Sequence, residues 1–138
     1  MQDALAKVRE TYKDKVKLVF KDYPLNFHNN AMKAAEAARC AGEQDKYWEY
    51  HDVLFKNISA LGLENLKKFA VDLKLDAAKF NTCVDSGKHV AAINKDMADG
   101  TKVGVTGTPA FVINGRFLSG AQPYDAFQTA IEDALASQ

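Results

Sequence analysis

Apolar positions change period four times along the chain, and each change marks an element. Leu5, Val8 and Tyr12 recur at helical spacing among Lys and Arg, so residues 3–12 predict an amphipathic helix that Lys13-Asp14-Lys15 ends. The next five residues, Val16-Lys17-Leu18-Val19-Phe20, form a β-branched and aromatic run bounded by charge. Tyr23-Pro24 closes its extended path, because the residue before a proline is kept out of the α region. This run predicts the first strand. From Asn30 helical spacing returns. Residues 31–41 are alanine-rich with Gly42 as a stop, and Asp45 is placed to cap a helix carrying Tyr47, Trp48, His51, Leu54 and Phe55. Further helices are predicted at 63–74, at 76–85 with Gly87 as stop, and at 88–99 with Gly100 as stop.

The string GVTGTPAFVINGRFLSG then places two short apolar runs, residues 110–113 and 116–118, on either side of Asn114-Gly115. Both central positions of a two-residue hairpin turn need φ > 0, and Asn-Gly meets that need, so a β-hairpin is predicted. Pro123 opens a last helix with Phe127, Ala130, Ile131, Ala134 and Leu135 on one face. No internal repeat or low-complexity tract interrupts this order. Helix, strand, helical block, hairpin, helix reads as an α/β fold with a large helical insertion, about residues 28–102, in a single domain of 138 residues.

Charge narrows the partners. Lys+Arg and Asp+Glu are equal at 18 each, with no long basic run to grip a phosphate backbone or an anionic lipid surface, so nucleic acid and membranes are not expected partners. No window approaches the roughly 18 apolar residues of a membrane span, and the opening MQDALAKVRETYKDK lacks the apolar stretch of a signal peptide. The two cysteines, Cys40 and Cys83, leave open one disulfide, two free thiols or a mixed ligand set. His28, His51 and His89 never stand three or four residues from one another or from a cysteine, so no helix offers a ready ligand pair. No metal and no cofactor is expected. The stripe Tyr47, Trp48, Tyr50, Leu54 and Phe55 is read as core, and Lys67-Lys68 and the lysines at 13–17 as solvated faces.

Three strings, KVKLVFKDYPL, AARCAGEQDKYWEYHDVLF and GVTGTPAFVINGRFLSGAQP, with the helices between them, resemble the DsbA-type thiol:disulfide oxidoreductases. These are thioredoxin-fold proteins with a helical insertion, and the resemblance covers nearly the whole chain. The third string has the form of the family's cis-proline loop, so the resemblance implies a cis Thr108–Pro109 bond. It also implies that Gly107, Thr108 and Pro109 offer backbone groups to an extended polypeptide substrate, as in strand addition. In that family a strand and a Cys-X-X-Cys motif come directly before the helix that here begins the sequence. Neither is present, so the chain looks like a family member cut off just after its active site, with no catalytic pair.

Cys40 and Cys83 are poor substitutes for that pair. Each lies near a predicted helix C-terminus, where the dipole opposes the thiolate that redox chemistry needs. A structural Cys40–Cys83 disulfide is the favoured reading, and its 43-residue separation corresponds to about 4 kcal/mol of loop-closure stabilisation. The function the resemblance implies is that of a DsbA-family oxidoreductase with its catalytic motif missing. Its partners would be extended polypeptides and a redox protein, in the periplasm or outside the cell. The alternatives are a non-catalytic peptide-binding or structural remnant and, as a minor reading, a relative of kappa-type glutathione transferases or chromene-carboxylate isomerases. In the implied fold the missing strand lies between residues 16–20 and the first hairpin strand. Its gap is expected to be closed by a direct shift of residues 16–20 or, preferably, by a homodimer formed through exchange or edge pairing.

Overall fold

The computed structural model describes residues 1–138. In chain order it has α1 (Gln2–Thr11), α2 (Ala31–Gly42), α3 (Tyr47–Lys56), α4 (Leu63–Asp72), α5 (Ala77–Ser86), α6 (Val90–Lys102), β1 (Ala110–Ile113), β2 (Arg116–Ser119) and α7 (Tyr124–Ala136). The chain divides into two compact units, one of Met1–Lys21 with Asp99–Gln138 and one of Asp22–Ala98. No helix is long and apolar enough to cross a membrane.

The first unit forms because three amphipathic pieces share one apolar seam. Val8 of α1, Tyr12 at its C-cap and Phe127 and Ile131 from α7 are buried together, and Phe111, Ile113 and Leu118 of the hairpin pack on them. Phe111 meets Phe127 edge-on, with ring centroids 4.8 Å apart, which suits the opposed charge of ring edge and face. The Tyr12 hydroxyl donates to Glu132 at 2.7 Å. That hydrogen bond to a carboxylate, helped by burial, pushes the Tyr12 pKa up to about 12. The hairpin pairs Phe111 with Leu118 and Ile113 with Arg116. Its turn places Asn114 at φ 46° and Gly115 at φ 88°, the two positive values a tight hairpin requires.

The second unit is built on α2. Ala37 and Ala41 are fully buried, and such small side chains let α3, α4 and α5 approach closely. Tyr50, Leu66, Phe80 and Val84 fill the space between them, also fully buried. The Tyr50 hydroxyl escapes an unsatisfied burial by donating to the Leu66 carbonyl at 2.8 Å. Asp76 caps α5, its side chain accepting from the Lys79 N–H at 3.1 Å, and Gly87 ends it at φ 68°.

The local rules misplace three features. Residues 16–20 form no strand: the sheet has two strands, β1 and β2, and the shift of this run onto β1 does not occur within the chain. A β-branched run fits a pleated surface, but a strand exists only with a neighbour to complete its ladder. Asp45 is not a cap; it takes φ 62° in the turn, while Lys46 precedes α3 with no side-chain cap. Gly100 lies inside α6, and the positive φ of 99° falls at Gly104. Gly42, as expected, is the last residue of α2, and a Cβ there would stand 3.4 Å from that of Tyr47.

Candidate functional site

In the first unit, the hairpin is entered through Gly107-Thr108-Pro109, and the Thr108–Pro109 peptide bond is cis. The Pro109 carbonyl accepts the Gly120 N–H at 2.9 Å, one residue beyond β2, so the far end of the hairpin holds the loop. Thr108 is exposed, and nothing lies within 4 Å of where a Gly107 Cβ would stand. Backbone without a side chain beside open space can be reached by another extended chain, and β1 uses only one edge for β2.

In the second unit, Cys40 and Cys83 form a disulfide joining α2 to α5, with Cα atoms 5.9 Å apart. The two residues are 1% and 7% exposed, so an attacking thiol reaches either sulfur only through local opening. Glu43, directly after α2, has Oε2 3.5 Å from Cys83 Sγ. A bonded sulfur carries no hydrogen, so this is a contact and not a hydrogen bond. Lys88 Nζ donates to Glu43 Oε1 at 3.0 Å, and His89 Nε2 lies 2.5 Å from Oε2. The Lys88 hydrogen bond, then His89, hold the Glu43 carboxyl below its ordinary range against the opposing effect of burial. A sulfur of each cysteine and a ring nitrogen of His89 all lie within 4.8 Å of one another. Sequence spacing offered no ligand pair because Cys40 and Cys83 come from separate helices and His89 from the turn before α6, and they meet only through the packing of α5 against α2.

Reading along the chain also missed a buried charge cluster in this unit. Arg39 donates from Nε to Asp22 Oδ2 and from Nη2 to Asp96 Oδ2, each at 2.7 Å, and the Asp22 N–H donates to Asp96 at 3.0 Å. Burial pushes the Asp22 carboxyl up, and Arg39 pulls it down. The one trace in the sequence is an arginine set in the alanine-rich face of α2. The aromatic stripe divides: Tyr50 is core, whereas Phe55 is 37% exposed and its ring lies tilted against His51 at 4.6 Å, and His51 meets Trp48 edge-on at 5.2 Å. Lys67 is not simply solvated, since it pairs with Asp85 at 3.2 Å.

A hairpin entered by a cis-proline loop, packed with two helices and interrupted in sequence by a helical unit, is a thioredoxin-like arrangement. A family model described as Thioredoxin matches residues 1–133, and the chain belongs to that family, with a DsbA-like fold. Among solved structures it is similar to a thioredoxin-like oxidoreductase from Silicibacter pomeroyi DSS-3, at 26% identity and TM-score 0.84, covering 98% of this chain and 79% of that one. The thiol-disulfide exchange protein alpha-DsbA2 from Wolbachia pipientis shares the fold at TM-score 0.83 and 20% identity, over 96% of this chain and 72% of that one. Among curated proteins, the Na(+)/H(+) antiporter NhaA 3 of Salinispora tropica is 35% identical over 133 residues, which are 94% of this chain and 20% of that protein. The antiporter NhaA 1 of Salinispora arenicola is 33% identical over 132 residues with the same shares. The chain thus spans about a fifth of the length of these curated relatives.

Proposed function

We propose that these 138 residues are the scaffold and polypeptide-receiving wall of a DsbA-type thiol:disulfide oxidoreductase, and that by themselves they exchange no disulfides. The observation that carries this reading is the fate of the cysteines: both are consumed in one bond, with their residues buried, and no Cys-X-X-Cys occurs in the sequence. Disulfide exchange needs an accessible thiolate, and neither cysteine provides one. Gly107, Thr108 and Pro109 then act as the surface on which an extended polypeptide is laid. The supporting features are the open space at Gly107 and the edge of β1 that β2 does not use. A redox protein is the second partner of the full activity. An oxidising compartment, the periplasm or the cell exterior, suits a chain held by such a bond.

The same hairpin supports self-association. Val19, Phe20, Val112 and Phe117 of the first unit are 58%, 40%, 52% and 40% exposed, an apolar set that a second copy would cover through exchange or edge pairing. The test of the redox reading is reduction of insulin by dithiothreitol. The rate with this chain should equal that with a Cys40→Ser, Cys83→Ser variant and that with no protein at all. Turnover above both controls sinks the reading and makes the buried pair the reacting one.

A further inference from the structure

We propose that reducing the Cys40–Cys83 bond converts this corner of the second unit into a site for a zinc-type divalent metal, with Cys40, Cys83, His89 and Glu43 as its four ligands. In the oxidised chain the sulfurs are tied to each other, and the ring nitrogen of His89 stands with them inside a 4.8 Å cluster. Glu43 Oε2 touches two of these three groups, 3.5 Å from Cys83 Sγ and 2.5 Å from His89 Nε2. Tetrahedral zinc takes sulfur at about 2.3 Å and nitrogen or oxygen at about 2.0–2.2 Å, so its ligand atoms stand roughly 3.3–3.8 Å apart. The Cα atoms of Cys40 and Cys83 stand 5.9 Å apart, close enough for both side chains to turn onto one ion once the sulfurs are parted.

Charge favours the same occupant. Cys40 lies in the last turn of α2 and Cys83 in the last turn of α5, so the negative ends of two helix dipoles converge here. Those ends disfavour a lone thiolate and favour a cation. Two thiolates and the Glu43 carboxylate exceed a dication by one negative charge, and Lys88, 2.9 Å from Glu43, offsets it. His89 binds as neutral imidazole. The side chain of His89 is 20% exposed and that of Glu43 37%, which leaves a way in for the ion beside otherwise buried sulfurs.

The chemistry balances in two steps. A dithiol reductant gives two electrons and two protons to the sulfurs and closes into its own disulfide, leaving Cys40 and Cys83 as thiols; a trialkylphosphine does the same and becomes its oxide with oxygen from water. The metal then displaces both thiol protons to solvent as it binds. The outcome is a clip between α2 and α5 in either redox state, sulfur to sulfur when oxidised and through the ion when reduced.

Cobalt(II) tests this, because bound thiolates give it a charge-transfer absorption in the near ultraviolet. The full chain is reduced anaerobically with a phosphine, freed of reductant and titrated with cobalt(II), then with zinc(II). The expected result is one cobalt per chain with the thiolate band, loss of the band as zinc displaces it, and no band in the unreduced protein. His89→Gln should weaken binding by more than the 10- to 100-fold that loss of an outer-shell partner costs, and Glu43→Gln by about tenfold. A reduced, folded chain with no band overturns the proposal, as does one cobalt per two chains or wild-type affinity in His89→Gln. Unchanged affinity in Glu43→Gln alone overturns the four-ligand set. If circular dichroism shows that reduction unfolds the helices, the metal must restore them; failure to do so also overturns the proposal.

Discussion

Removing the disulfide is the most quantitative perturbation of the helical unit. Cys40→Ala with Cys83→Ala deletes both sulfurs and opens a loop of 43 residues in the unfolded chain. The chain-entropy relation gives about 4 kcal/mol for that loop at 25 °C. Two small voids in a core that includes Ala37, Ala41, Phe80 and Val84 add on the order of 1 kcal/mol. A domain of this size has a total stability of roughly 5–15 kcal/mol, so the variant should fold but sit near its limit. The assay is urea unfolding followed by helical circular dichroism at 25 °C, oxidised wild type against variant. With a slope of about 2 kcal/mol per molar urea, the midpoint should fall by roughly 2 M, and the slope should rise because the open unfolded chain exposes more surface. A loss below about 1 kcal/mol would refute the reasoning, since helix packing alone would then be holding α2 and α5 together.

Arg39→Met leaves Asp22 and Asp96 facing each other without their cation, and because Arg39 is 27% exposed the loss should fall at the low end of the buried-pair range, about 3 kcal/mol at pH 7. Asp22 is already held above its ordinary value of 3.8 by burial, and removing Arg39 raises it further. A raised carboxyl contributes stability below its unfolded pKa and loses it as pH rises through the folded one. The deficit should therefore shrink as pH falls toward 4, and a pH-independent deficit in thermal melts would contradict this account. Tyr50→Phe removes a buried donor from the Leu66 carbonyl and should cost about 1 kcal/mol in the same urea assay, with the fold intact by circular dichroism. Light scattering at micromolar concentration should give the mass of a dimer; a stable, well-folded monomer would defeat the exchange or edge-pairing proposal.

What could be read from the sequence was whatever short-range chemistry decides. Asn114-Gly115 specifies its turn by itself, Asp76 and Gly87 bracket α5 by themselves, and the alanines of α2 mark a helix that must pack closely. Residues 16–20 illustrate the opposite case, because a strand is a property of a pair and no residue in the run names its partner. Gly100 is as compatible with a helix interior as with its end, and the next turn decides which. Of the site, the cysteine pair and the loop at Gly107, Thr108 and Pro109 stood out in the sequence. Glu43, Lys88, His89 and the Asp22–Arg39–Asp96 cluster did not. Those groups come from distant positions and meet only after α2, α5 and α6 have formed, so no spacing rule reaches them.

The central claim is that this chain offers no reactive thiol because Cys40 and Cys83 are bound to each other. Thiol titration of the protein unfolded in denaturant, with no reductant present at any stage, tests it most directly. No titratable thiol per chain is expected before reduction and two after it. Two thiols per chain before reduction would contradict it, returning both cysteines to the pool of candidate reacting groups.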